Sequence, residues 1–287
     1  MEFCGEKEPR SRPDPVSFGR GAALTRGELL DLGHRNMAAY YRESAMWGRT
    51  GAALEEGGVL CYASSTRFPA LMNGVIRTDA RTSAAEVIQR ARDFFSARSR
   101  GFTIWARTDF DDDIAAAAEA MGLSSILDTP EMIVVERLAE KPLPPGLEIR
   151  RIMSVDDVVA FAEMNGEAYS IYGMPSAVVR KSFDAPERFL APHVYGVTAR
   201  VDGVEAAGAL TYLSHGIAGV YWVGTREAFR GRGIGEAVTR VVTNAGFDLG
   251  GAANTLQASV MGDPIYRRMG YEEGYRYRGY LRVPTEK

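Results

Sequence analysis

Residues Phe229 to Val238 read FRGRGIGEAV. Gly231, Gly233 and Gly235 alternate here with Arg230, Arg232 and Ile234, behind the apolar run VYWVGT and ahead of residues with helical spacing. Glycine takes a left-handed backbone at little cost and lets a ligand approach the main chain. A helix N-terminus presents unpaired N–H groups and a partial positive charge. A glycine-rich turn entering a helix is therefore suited to an anion, and Arg230 and Arg232 add charge-assisted donors. A P-loop is excluded, because it ends in Gly-Lys-Ser/Thr and this loop ends in Gly235-Glu236-Ala237. The dinucleotide fingerprint is weakened by Glu236 at its sixth step, where a glycine belongs.

A second stretch, SVMGDPIYRRMGY, runs from Ser259 to Tyr271. Pro264 suits the first position of a short helix, Asp263 its cap and Gly270 its end. Tyr266 carries a phenol with an ordinary pKa of ~10.

The pattern Arg-x-x-Gly-x-Gly at Arg230, Gly233 and Gly235 resembles the coenzyme loop of the GCN5-related N-acetyltransferase (GNAT) family. The downstream stretch resembles that family's Asn-x-x-Ala-x-x-x-Tyr motif, with Ser259, Gly262 and Tyr266 at its places and Gly270-Tyr271 after it. Ser259 and Gly262 depart from the usual Asn and Ala. The resemblance covers about residues 147–287. It implies acetyl-CoA as cosubstrate and no metal. Arg230, Gly231, Arg232, Gly233, Ile234 and Gly235 would wrap the pyrophosphate. Backbone groups of Val223 and Thr225 would hold the pantetheine arm, with Ser259 and Tyr266 beside it. Tyr266 would protonate the leaving thiolate. Gly224, between two strand residues, is a candidate bulge that frees an N–H for the oxyanion.

The remaining chemistry is less marked. Glu167 is a candidate general base or a solvated helix residue, and a water chain or an already neutral amine would serve equally. Tyr169 and Tyr172, in EAYSIYGMP, line a substrate pocket or pack a helix end. His34, His193 and His215 read as structural. Asp111, Asp112 and Asp113 precede an alanine-rich helix, where carboxylates are favoured without a metal.

The elements that must position these residues fall into two halves. The Pro-rich segment LAEKPLPPGLEIR divides them. In the second half the pattern predicts a strand at 147–152, helices near 155–170 and 175–183, and strands at 193–201, 204–214 and 218–225. Asp202-Gly203 is the hairpin turn between the first two of those three. A helix near 233–248, the strand TLQASV, a short helix at 264–269 and a strand pair within 271–283 follow. The first half predicts helices at 26–41, 83–97 and 112–121, and strands near 58–63, 70–77, FTIWAR and 132–137. AEAMGL and YRRMGY echo each other and set Ala118 at the place of Tyr266. The counterpart of the glycine loop, IRTDARTSAAEV, has no glycine. The expectation is an α/β (α+β) chain of two tandem GNAT-like domains, each a mixed, largely antiparallel twisted sheet flanked by helices. A flexible tail spans 1–20, a degenerate copy 21–140 and an acetyl-CoA-binding catalytic copy 141–287.

At 287 residues the chain is long enough for two cores. Its net charge of −3 gives no reason to expect nucleic acid or an anionic membrane as partner. No apolar run approaches the ~18 residues of a membrane span. Cys4 and Cys61 do not make a disulfide framework, which fits a reducing, cytoplasmic compartment. The expected partner is a small-molecule amine, and the chain is expected to be a monomer or homodimer. The rival from another class is a non-catalytic acyl-CoA-binding sensor.

Overall fold

A computed structural model describes residues 24–283. The tail expected over 1–20, and Cys4 within it, lie outside the described residues. The first half contains α1 (Arg26–Ser44), β1 (Ala52–Glu56), β2 (Val59–Ala63), β3 (Asn73–Arg77), α2 (Ala84–Ser96), β4 (Phe102–Arg107), α3 (Asp112–Ala120) and β5 (Ser125–Val134). The second contains β6 (Leu147–Arg151), α4 (Val155–Ala168), α5 (Ser176–Ser182), β7 (Val194–Val201), β8 (Val204–Ser214) and β9 (Ile217–Thr225). It ends with α6 (Ile234–Asp248), β10 (Asn254–Gln257), α7 (Asp263–Met269) and β11 (Glu272–Arg282).

Local chemistry accounts for most of these boundaries. Thr25 and Glu28, Ser83 and Glu86, and Ser154 and Asp157 form reciprocal capping boxes that start α1, α2 and α4. Asp202 and Gly203 both have positive φ, the geometry that a two-residue hairpin between β7 and β8 requires. Three sequence expectations change. β1 was not anticipated, because AALEE is half exposed and lacks a clear alternation. β5 starts at Ser125 rather than near 132, its first half being exposed. The expected strand pair within 271–283 is one continuous strand, β11.

The eleven strands of the described residues join one sheet in the order β1-β2-β3-β4-β11-β5-β10-β9-β8-β7-β6. Two neighbouring pairs are parallel, β3 with β4 and β9 with β10. Each is joined by a helix, α2 or α6, as a parallel crossover demands. The order also shows a reciprocal exchange. β11, the last strand of the second half, lies against β4 of the first; β5, the last strand of the first half, lies against β10 of the second. Each half therefore completes the sheet of the other.

Helices cover both faces. α6 and α7 pack Ile234, Val238, Val242, Tyr266 and Met269 on Val220, Leu256 and Met132. On the opposite face α4 and α5 pack Phe161, Met164 and Val179 with Leu210, Tyr212 and Tyr221. α1 belongs to the first half but crosses the seam to this second face. Its Asn36 is fully buried and donates to the carbonyls of Tyr212 (3.0 Å) and Ile217 (2.8 Å), and it accepts from the Tyr221 hydroxyl at 2.9 Å. Gly33 of α1 sits so close to the sheet that a Cβ there would be 2.9 Å from Thr255 Cγ2.

The exchange makes a prediction about independence. Residues 141–287 expressed alone leave the β10 edge bare and β11 without its two neighbours. Such a fragment is expected to aggregate or to lack a cooperative unfolding transition. Co-expression with residues 1–140 should restore a soluble pair, read by co-purification and circular dichroism. A soluble, cooperatively folded 141–287 fragment would contradict this.

Candidate functional site

The glycine loop lies where β9 and β10 part. The two strands pair at Ala218–Asn254 and Gly219–Thr255, and beyond those residues they diverge. α6 begins at the mouth of the opening. Gly231 and Gly233 have φ of 75° and 76°, and a Cβ on Gly231 would meet nothing within 4 Å. Gly233 is the N-cap residue and supplies no side chain, so no side chain caps the first N–H groups of α6. This differs from the self-capped starts of α1, α2 and α4, and it is the feature that fits an anion. Glu236, in the first turn, is neutralised by Lys141 (2.9 Å) and Arg240 (2.6 Å), and Lys141 chiefly holds its carboxyl below the usual range.

The two arginines divide in role. Arg230 turns inward, donating from Nε to the Thr225 carbonyl (3.1 Å) and from Nη2 to the Ala168 carbonyl (3.2 Å). It ties the loop to the end of β9 and to α4. Arg232 is exposed, with its guanidinium 5.4 Å from the Phe229 ring centroid.

β9 carries a bulge. Gly208 pairs with Gly224 and Leu210 with Tyr221, so Trp222 and Val223 together oppose Ala209. Trp222 has φ of 53°, which a bulky side chain rarely adopts. The bulge is thus centred at Trp222 and Val223, two residues ahead of the expected Gly224. The extra residue leaves the ladder, which frees backbone groups at the opening. Gly224 has a different use: a Cβ there would meet Asn165 Oδ1 at 2.2 Å, so its absence lets α4 close on the strand. Asn165 is fully buried and neither of its amide atoms has a partner among the described residues.

Tyr266, on α7, is buried with its ring over Gly262, where a Cβ would be 2.6 Å from Cε2. Burial raises its phenol above the ordinary value, opposed by the Thr239 hydroxyl. It is a neutral O–H donor across the physiological range. Ser259 accepts from the Gly262 N–H (3.2 Å) and from the Tyr172 hydroxyl (3.1 Å). Tyr172 so bridges from the end of α4 to the start of α7. Tyr169 packs against Tyr172 (5.7 Å between centroids) and Trp222 (5.0 Å). The fold thus brings together Tyr169, Tyr172, Ser259 and the bulge, with the Tyr266 ring over Gly262, whose N–H donates to Ser259. Asp263 does not cap α7: it occupies the first helical position and pairs with Arg267 at 2.9 Å.

Glu167 is half exposed and accepts from Arg226 Nε at 2.7 Å, so its carboxylate is already engaged. His193 contacts Glu43 at 2.8 Å, and His34 lies between the Tyr277 hydroxyl and the Arg77 carbonyl, in line with structural roles. Among the described residues no group of three His, Cys, Asp or Glu could hold a metal, and no helix is long and apolar enough to cross a membrane.

The fold recurs in solved structures. The chain is similar to a GCN5-related N-acetyltransferase from Kribbella flavida, at 21% identity over 88% of this chain and 96% of that one, with a TM-score of 0.66. It is similar to another from Sphaerobacter thermophilus at 17% identity, over 80% and 78% of the chains, with a TM-score of 0.59. A tandem GNAT protein from the clavulanic acid biosynthesis pathway matches 92% of this chain and 98% of its own at 13% identity, with a TM-score of 0.58. The chain has the tandem GNAT fold. No family model matches the sequence, and neither does any curated protein.

Within that GNAT fold the two halves differ at equivalent places. α2 follows β3 as α6 follows β9, but Ser83 and Glu86 cap α2 internally. Arg77, at the end of β3, is buried and binds Asp111 (2.8 Å from Nε) and Asp113 (2.9 Å). Ala118, set at the place of Tyr266 by the Met-Gly echo, is buried in the first-half core and carries no phenol. Arg77→Met should leave Asp111 buried without this partner and cost ~3–5 kcal/mol. The check is a large fall in Tm with unchanged affinity for acetyl-CoA; a Tm within a degree of wild type would remove the ion pair from the account.

Proposed function

We propose that the chain is an acetyl-CoA-dependent N-acetyltransferase acting on a small amine. The observation that carries this reading is the uncapped α6 start after β9, supported by the β9 bulge at Trp222 and Val223 and by the buried phenol of Tyr266. Backbone N–H groups of Gly233 to Gly235 and the Arg232 guanidinium receive the pyrophosphate. Main-chain groups of Val223 and Thr225 align the pantetheine arm along β9. The amine nitrogen attacks the thioester carbonyl, forming the C–N bond as the carbonyl π electrons move to oxygen. The N–H freed at the bulge stabilises that oxyanion, a contribution of ~2.7–4 kcal/mol for one such donor. The oxyanion electrons return to re-form the carbonyl as the C–S bond breaks, the sulfur takes the Tyr266 proton, and the proton released by the amine nitrogen passes to water, from which the Tyr266 phenolate is reprotonated, leaving an amide and free thiol.

Release of coenzyme A thiol, measured against an amine library, tests the reading. Amine-dependent release with a matching acetylated product supports it. Thiol release that no amine accelerates favours the sensor alternative, for which the engagement of Glu167 by Arg226 is the supporting observation.

A further inference from the structure

The exchanged strand β5 carries a buried acid into the second half. Glu131 is fully buried on the α1 face of the sheet and pairs in register with Gln257 of β10. Gln257 Nε2 donates to Glu131 Oε2 at 2.6 Å. Glu131 Oε1 has no partner among the described residues, and it lies under Gly33, where a Cβ would be 3.3 Å away. Gln257 itself is only half-buried. Counting two residues on from the last β9–β10 pair, Gly219–Thr255, sets Gln257 level with Tyr221, just past the point where the strands part and one step before the bulge. Because Nε2 is held by the carboxylate, the amide oxygen of Gln257 is the atom turned away from Glu131.

We infer that Gln257 is the hydrogen-bond acceptor for the N–H of the incoming amine, and that Glu131, contributed by the first half, is the positioning residue that fixes its amide orientation. The inference rests on the acyl-transfer reading above. It gives the first half a part in the site, through α1 and β5. It also limits the acceptor to a molecule that offers an N–H donor at this depth.

The surroundings of Glu131 make the orientation pH-sensitive. Burial pushes its carboxyl up to about 8, opposed by the hydrogen bond from Gln257 and by the more distant charge of Arg107 on β4. Tyr41 of α1, Tyr221 of β9 and Tyr275 and Tyr277 of β11 also feel its charge, and burial keeps all four hydroxyls protonated. His34 of α1 touches Tyr277 and is neutral, its pKa lowered to about 4 mainly by burial. Arg107 is itself paired with Asp31 and Asp109. Above about pH 8 the ionised Glu131 accepts from Nε2 and the Gln257 oxygen faces the opening. Below it the protonated carboxyl donates to that oxygen, the amide turns, and an N–H confronts the N–H of the acceptor.

The test compares wild type with Glu131→Gln, a shape-preserving change that removes a buried acid and keeps the fold. The amine's own ionisation is common to both proteins and cancels in their ratio. The ratio of kcat/KM for the amine, wild type over variant, is expected to rise from near one below pH 6 to about tenfold above pH 9. Affinity for acetyl-CoA should stay unchanged. Gln257→Met should raise the amine KM about tenfold with kcat less affected. A flat ratio across pH, or a Gln257→Met enzyme with wild-type amine KM, overturns the inference. A readout free of turnover separates this from failure of the reaction itself. In protein labelled with ¹³C at the glutamate side-chain carboxyl, one resonance should titrate near pH 8, vanish in Glu131→Gln and shift when benzylamine or propylamine is added. If no amine is acetylated, the function falls while this arm still reports on the pair. A pH 8 resonance that neither amine moves overturns the inference.

Discussion

Replacing Gly233 by valine is expected to weaken acetyl-CoA binding about 100-fold. The residue sits at φ 76°, and a Cβ there would meet only Pro144 Cγ at 3.8 Å, an ordinary contact. The cost is therefore conformational and not a clash. A β-branched residue in the left-handed region costs ~1–3 kcal/mol, and each ~1.4 kcal/mol is tenfold in affinity. The chain relieves that strain by swinging the loop, which withdraws the N–H groups of Ile234 and Gly235 from the anion. Calorimetric titration with acetyl-CoA checks it, and an unchanged Kd would remove the loop from the coenzyme site. The rest of the fold should be indifferent, because Gly233 is exposed and packs no core.

Tyr266→Phe should lower kcat by ~10²–10³ with little change in acetyl-CoA affinity, the signature of a lost general acid. The substitution is mild for packing, since the phenylalanine ring keeps its place over Gly262. Thr239 keeps its own bond to the Gly235 carbonyl at 2.7 Å, so no buried hydroxyl is stranded. Burial already holds the phenol protonated, and the defect should therefore be the same from pH 6 to 9. Single-turnover rates would show this even if product release limited the steady state. Unaltered rates throughout that range would assign Tyr266 to packing alone.

Much of the site was legible because its determinants are local. Gly231 and Gly233 announce left-handed backbone by lacking a Cβ, and VYWVGT announces a strand by composition. The bulge was anticipated but misplaced. Glycine is the residue that points to a bulge in a sequence, yet here Trp222 takes the positive φ, while Gly224 makes room for Asn165. The inward turn of Arg230 was hidden for a similar reason: its acceptor at Ala168 lies 62 positions away.

The sequence by itself determined where helices begin, where the Asp202-Gly203 turn falls and which loop takes a left-handed backbone into α6. Capping, φ preference and alternation each act within a few residues, so they can be read from a short window. The tertiary structure alone decided which strands became neighbours. A strand's exposed N–H and C=O groups accept any edge of suitable register, and nothing local tells β5 to pair with β10 or β11 with β4. That choice brought Glu131 to Gln257 across 126 positions of chain and buried its carboxyl beneath Gly33. Burial is a property of the assembled sheet and α1 together, which is why the acid whose pKa is raised to about 8 read in the sequence as an unremarked strand residue.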